Sequence, residues 1–256
     1  DGDFWGLYMT IEQMDGRFLD EHLLPDGNLY KIESHNAGSN NQGPTAVTDY
    51  SDFTEFKTRG SDSYGYYEDP NPTEQWWRTN VDIRRYYGYR CVVEGVHHGD
   101  IGYGKNWFFY LNPETNIWSM LPWDVDLTWA NNMYGNGEDV FKSQGAIFSN
   151  STLLLEYRNR QREFHDLLYN SQQMNLLLDK LASFIDDPAG GPSMVDADRA
   201  MWDYNPIMTS GNVNPSKAGA GRFYQQAATK DFPGMVQIMK NYVSGSRAFN
   251  TYSEDT

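Results

Sequence analysis

Asp124 and Asp126 stand two residues apart in the run WSMLPWDVDLTW, Trp118 to Trp129, which is otherwise mostly apolar and aromatic. Upstream, Asp100 closes the stretch His97-His98-Gly99, and Asn106 follows it by six residues in DIGYGKN. A carboxylate able to accept a hydroxyl proton, an amide oxygen and a second carboxylate form a hard-oxygen set suited to magnesium. Such a set supplies the parts for moving a phosphoryl group: one base, and two groups that hold metal on nucleotide phosphates. Asp126 then either joins as a ligand or supports the site from behind. The aromatic walls are expected to bury Asp124 and keep competing water low. The plainer alternatives are local. Asp124 caps nearby backbone N–H groups, Asp100 ends a helix or makes an Asx turn, and Asn106 is a turn amide.

These residues need elements to hold them. WFFYLN, a PETN turn and IWSMLP read as a hairpin that delivers Asp124 to its far end. TEQWWRTNVDIRRYYGYRCVVEGVHHGD reads as one long helix leading into the turn that carries Asp100, with Gly95 and Gly99 marking its end. Before it, Trp5, Leu7, Met9 and Ile11 alternate as in a strand. DGRFLDEHLLP reads as a short helix stopped by Pro25, and DGNLYKIES as a turn and a strand. Residues 35–46 and GSDSYGYYEDPNP read as loops, and DYSDFTEFKTR as a short helix. Residues 130–150 are loop-like, and the GNG within them is a turn, since no Gly-Lys-Ser/Thr follows. Four helical patterns follow, the first placing Leu153, Tyr157, Phe164, Leu167 and Leu168 on one face. No internal repeat is visible.

The 256 residues suffice for a sizeable core, and 18 Tyr, 13 Phe and 8 Trp mark a globular chain. A net charge of −15 with no basic stripe argues against nucleic acid and anionic membrane surfaces. The single cysteine, Cys91, allows no internal disulfide and no thiolate metal site, and reads as a small core residue. No run of 18 apolar residues exists, so no membrane span is expected. His97 and His98 lack the spaced third ligand of a zinc site. The strand-like run near residue 4 makes the sequence read as a domain cut from a longer protein.

His98-Gly99-Asp100 fits the His-x-Asp of the protein-kinase catalytic loop, with Asn106 one residue later than that pattern and Asp124 after the hairpin. Four pieces together resemble the spore-coat CotH kinase family, an atypical branch of the protein-kinase-like fold. They are GLYMTIEQMDGRFL, GNLYK, VDIRRYYGYRCVVEGVHHGD and KNWFFYLNPETNIWSMLPWDVDLTW. The resemblance covers about residues 4–135 and weakens beyond. It implies an α+β, atypical protein-kinase-like fold. A small strand-containing N-terminal lobe, truncated and spanning about residues 1–60, would precede a larger, mainly helical lobe over 61–256. It implies Asp100 as the catalytic carboxylate, and Asn106 and Asp124 as magnesium ligands. Lys31 would lie near the phosphates of ATP with Glu12 as its ion-pair partner; otherwise both are solvent-facing strand residues.

The implied activity is Mg²⁺–ATP-dependent transfer to Ser or Thr hydroxyls of a protein, at a spore, cell surface or other extracellular location. The acidity of the chain favours basic or Ser/Lys-rich targets. One alternative is a kinase-like binding or surface module with weak or no catalysis. Lys105, where the family has His, and the late Asn106 favour it. Another is a sugar-nucleotide transferase, for which Asp-Val-Asp would hold the metal, but the preceding segments lack the βαβ alternation such enzymes need.

Overall fold

The computed structural model describes residues 2–33, 36–60, 72–96, 98, 105–126, 128–129, 146–202, 229 and 231–245. Asp100, most of the loop expected at 60–72 and the GNG turn lie outside these residues.

Four antiparallel strands form one sheet in the order β2-β1-β3-β4. They are β1 (Asn28–Glu33), β2 (Asn36–Asn41), β3 (Trp107–Asn112) and β4 (Ile117–Pro122). The expected hairpin is present: Trp107 pairs with Pro122 and Asn112 with Ile117. β1 pairs with β3, Lys31 opposite Phe108 and Ile32 opposite Trp107. Strands from both sides of residue 60 thus share one hydrogen-bonded sheet. The three strand pairs among the described residues are antiparallel.

The sheet is covered on both faces, which explains why β1 and β3 are nearly continuously buried. On one face Tyr30, Ile32, Trp107, Phe109, Trp118 and Met120 join a large core with the helices that follow. On the other, Leu29, Phe108 and Tyr110 pack with Met14 and Leu19. Leu19 comes from α1 (Gly16–Glu21), whose N-cap Asp15 accepts the Arg17 amide.

Three expectations give way here. Residues 2–14 form no strand, and Trp5 is 73% exposed. Alternation there has no neighbouring strand to satisfy its backbone. Residues 36–41, expected as loop, form the edge strand β2, because β1 offers its free edge; a bulge between Leu29 and Tyr30 sets the register. The long helix is two, α3 (Glu74–Asn80) and α4 (Ile83–Gly95). Between them Val81 is extended and bridges to Trp118, the Asp82 amide donates to the Trp118 carbonyl, and Asp82 caps α4 through the Arg85 amide. An Asp ahead of an apolar residue is itself a start signal, and the β4 edge uses it.

The short helix expected after residue 48 is α2 (Ser51–Gly60). Tyr30 and Asn28 both donate to the Asp52 carboxylate, at 2.7 and 2.8 Å, and tie β1 to it. The helix α5 (Ser151–Leu167) packs through Leu153 and Tyr157. Leu167 and Leu168 leave the expected apolar face and are exposed. The chain divides into two compact units, Glu12–Phe164 holding the sheet and His165–Thr251 with Asp1–Ile11. The second contains α6 (Ser171–Ala182), α7 (Met194–Trp202) and α8 (Phe232–Ser244), with α6 against α8 and the Leu7 amide donating to Asp198. No helix among the described residues is long and apolar enough to cross a membrane.

Candidate functional site

The sheet gathers candidate residues at one end. Asn106 precedes β3, Trp123 and Asp124 follow β4, and Lys31 lies near the end of β1 that pairs with the start of β3. Backbone hydrogen bonds lock this end. The Asn106 amide donates to the Ile32 carbonyl at 3.3 Å, and the Trp123 amide donates to the Asn106 carbonyl at 3.2 Å. Asn106 is buried and sits at φ +71°, a left-handed conformation that Asn tolerates better than most residues.

His98 fastens the same turn from the helix side. It is fully buried, its amide donates to the Val93 carbonyl, and its Nε2 lies 3.3 Å from the Trp123 carbonyl. A carbonyl only accepts, so Nε2 carries the proton. Nδ1 has no partner among the described residues. His98 therefore makes a structural hydrogen bond one residue before Asp124, while His97 lies outside the described residues. The sequence reads this pair as local hydrogen bonders, but it does not name the Trp123 carbonyl, 25 residues on, as the partner of His98.

Asp124 takes φ +53°, another left-handed residue. Its carboxylate is exposed and has no partner among the described residues. This corrects the expectation of a carboxylate walled off from water. The aromatics pack beneath the turn instead: Trp123 meets Phe108 edge to face at 5.6 Å. Asp126 is also exposed, and its carbonyl accepts the Thr128 amide at 3.1 Å.

The Lys31 ammonium lies 5.6 Å from the centre of the Trp123 ring. Its carboxylate neighbour is Glu33 at 3.5 Å, on the same strand face. Glu12 bonds instead to His22, at 3.1 Å. The expected Lys31–Glu12 pair is thus replaced by two local pairs. Glu12 lies in an irregular segment, so no strand aims it at β1.

Among the described residues no three His, Cys, Asp or Glu side chains cluster to hold a metal. Magnesium does not require such a cage. It keeps several waters and takes one or two carboxylates together with substrate phosphates. An open Asp124 carboxylate, with Asp126 two residues on, fits that donor set. Cys91 is buried, and burial pushes its thiol up to about 12, so it is no nucleophile.

The family described as CotH kinase protein matches residues 1–184, and the chain belongs to that family. No curated protein matches the chain.

Proposed function

We propose that this member of the CotH kinase family is a phosphotransferase that uses ATP and Mg²⁺ to modify Ser or Thr hydroxyls of a protein. The observation that carries the reading is the convergence of Lys31, Asn106 and Asp124 at one end of the sheet, within the family match. Asp124 and Asn106 would hold the metal, with Asp126 as a further ligand or support. Lys31 would meet the phosphates, and Asp100 would accept the proton of the acceptor hydroxyl. The metal, when bound, would neutralise charge on the phosphates. The protein's contribution is positioning: the Asn106 and Trp123 backbone bonds and His98 fix the turn that presents Asp124. The product would be a phosphoserine or phosphothreonine, with ADP as the leaving group. The family's association with spore coats supports an extracellular, spore-surface or cell-surface location.

A second reading, a kinase-like binding module without turnover, is favoured by one observation. Lys31 and Glu12 are paired with Glu33 and His22, not with each other. Calorimetric titration of ATP with and without Mg²⁺ separates the readings. Metal-dependent binding that Asp124→Ala abolishes, followed by transfer of label from ATP to a Ser-rich protein, supports the phosphotransferase. Absence of binding in a folded wild-type protein rejects it and supports the module.

A further inference from the structure

A groove of about 420 Å³ opens at the other end of the hairpin, where α4 begins beside β4. Its size falls within the range of small-molecule sites, roughly 300–1,000 Å³. Arg78, Arg84 and Arg85 line it, in a chain of net charge −15. Arg78 is committed to Glu74 and Glu156. Arg84 and Arg85 are exposed, and neither guanidinium has an ion-pair or hydrogen-bond partner among the described residues.

A second observation is independent of these cations. Ser119 is only 4% exposed, yet its hydroxyl makes no hydrogen bond among the described residues. It pairs with Tyr110 across the hairpin, so the two side chains share a sheet face, and both line the groove. The hydroxyl is not closed off from solvent, so it is free to bond a ligand in the groove. Asp82 is the one carboxylate in the lining among the described residues, and its side chain accepts from the Arg85 amide as the cap of α4. Leu24, Val81 and Ile117 supply an apolar floor.

We propose that this groove binds a phosphate monoester, its oxygens held by the guanidinia of Arg84 and Arg85 and by the Ser119 hydroxyl, its carbon skeleton on the apolar floor. Two guanidinium forks and a hydroxyl suit a dianion with three acceptor oxygens better than a single carboxylate. The site stands apart from the Asp124 turn. Ser119 lies three residues before the end of β4, about 10 Å along the strand from Pro122. It therefore does not rest on the phosphotransferase reading, and none of its residues enters the test of that reading.

The experiment is a ¹⁵N NMR titration of the whole chain, without metal or nucleotide, following the Arg84, Arg85 and Ser119 amides. The probes are N-acetyl-phosphoserine amide, N-acetyl-serine amide and inorganic phosphate. Saturable shifts with the phosphorylated probe and none with serine are expected. The Arg84→Gln/Arg85→Gln variant weakens binding at least about ten-fold, and Ser119→Ala about three-fold. Tighter binding of phosphoserine than of phosphate makes a phosphorylated side chain the source. Equal binding of the two removes the carbon skeleton from recognition and overturns the monoester assignment. No saturable shift at these amides overturns the proposal, as does equal affinity in the arginine variant. Unchanged affinity in Ser119→Ala reduces the groove to surface charge and overturns it too.

Discussion

Glu94→Ala is the perturbation that tests how α4 is held. Glu94 and Arg90 are side chains only 7% and 9% exposed, and Arg90 donates to Glu94 at 2.7 Å. The other carboxylate oxygen accepts from Tyr157 at 2.5 Å and Gln161 at 3.0 Å, both on α5. Burial holds the Tyr157 phenol well above its ordinary range, and the Glu94 charge adds to that, so Tyr157 stays a donor. Removing the carboxylate leaves Arg90 buried beside Phe148 without this counter-charge and strands two donors. Breaking such a pair from one side costs about 3–5 kcal/mol. With a urea slope of about 2 kcal/mol/M, the midpoint falls by roughly 1.5–2.5 M. Tryptophan fluorescence is the assay, because Trp76, Trp77, Trp107, Trp118, Trp123 and Trp129 all belong to the Glu12–Phe164 unit. Arg90→Met combined with Glu94→Leu removes both charges and is expected to cost less than Glu94→Ala alone. A midpoint change below about 0.5 M for Glu94→Ala, or a double variant as damaged as the summed singles, refutes the argument.

Other outcomes follow from the same geometry. Gly27→Ala places a Cβ 2.1 Å from the Leu111 carbonyl oxygen, so a loss of about 1–3 kcal/mol is expected in urea unfolding, whereas Gly38→Ala on the open edge strand is far milder. Cys91 stays unlabelled by iodoacetamide at pH 8 in the folded chain and reacts once urea unfolds it; rapid labelling of folded protein contradicts its burial. The Arg78 guanidinium beside Glu156 holds its carboxyl below the ordinary value of 4.5. That stabilisation is present above the ordinary value and is lost as pH falls through the lowered one. Because this pair is more than a third exposed, Arg78→Gln is expected to cost well under about 1 kcal/mol at pH 7, and its difference from wild type shrinks on acidification. His98→Phe frees the Trp123 carbonyl and is expected to weaken Mg²⁺-dependent ATP binding several-fold while His98→Asn restores part of it, as read by calorimetry; equal binding in both variants and wild type removes His98 from the positioning of Asp124.

The sequence by itself determined the hairpin, the short helices and the later helical patterns. Each rests on local signals: a turn between two apolar runs, an Asp cap, a 3.6-residue period. It also determined the family, because four motifs coincide in one order. Tertiary structure decided the rest. β2 is Asn-rich and has little strand propensity of its own; the free edge of β1 makes it a strand. The alternating run at residues 4–11 has the right pattern and no such edge, so it stays irregular. Val81 breaks the expected long helix because Trp118 offers its backbone there. Asp124 was legible as a turn residue, but its exposure was not, since which side of Trp123 meets Phe108 is settled by packing across the sheet. Glu12 and Lys31 show the same limit: local order in the sequence names possible partners, and only the three-dimensional placement of His22 and Glu33 selects among them.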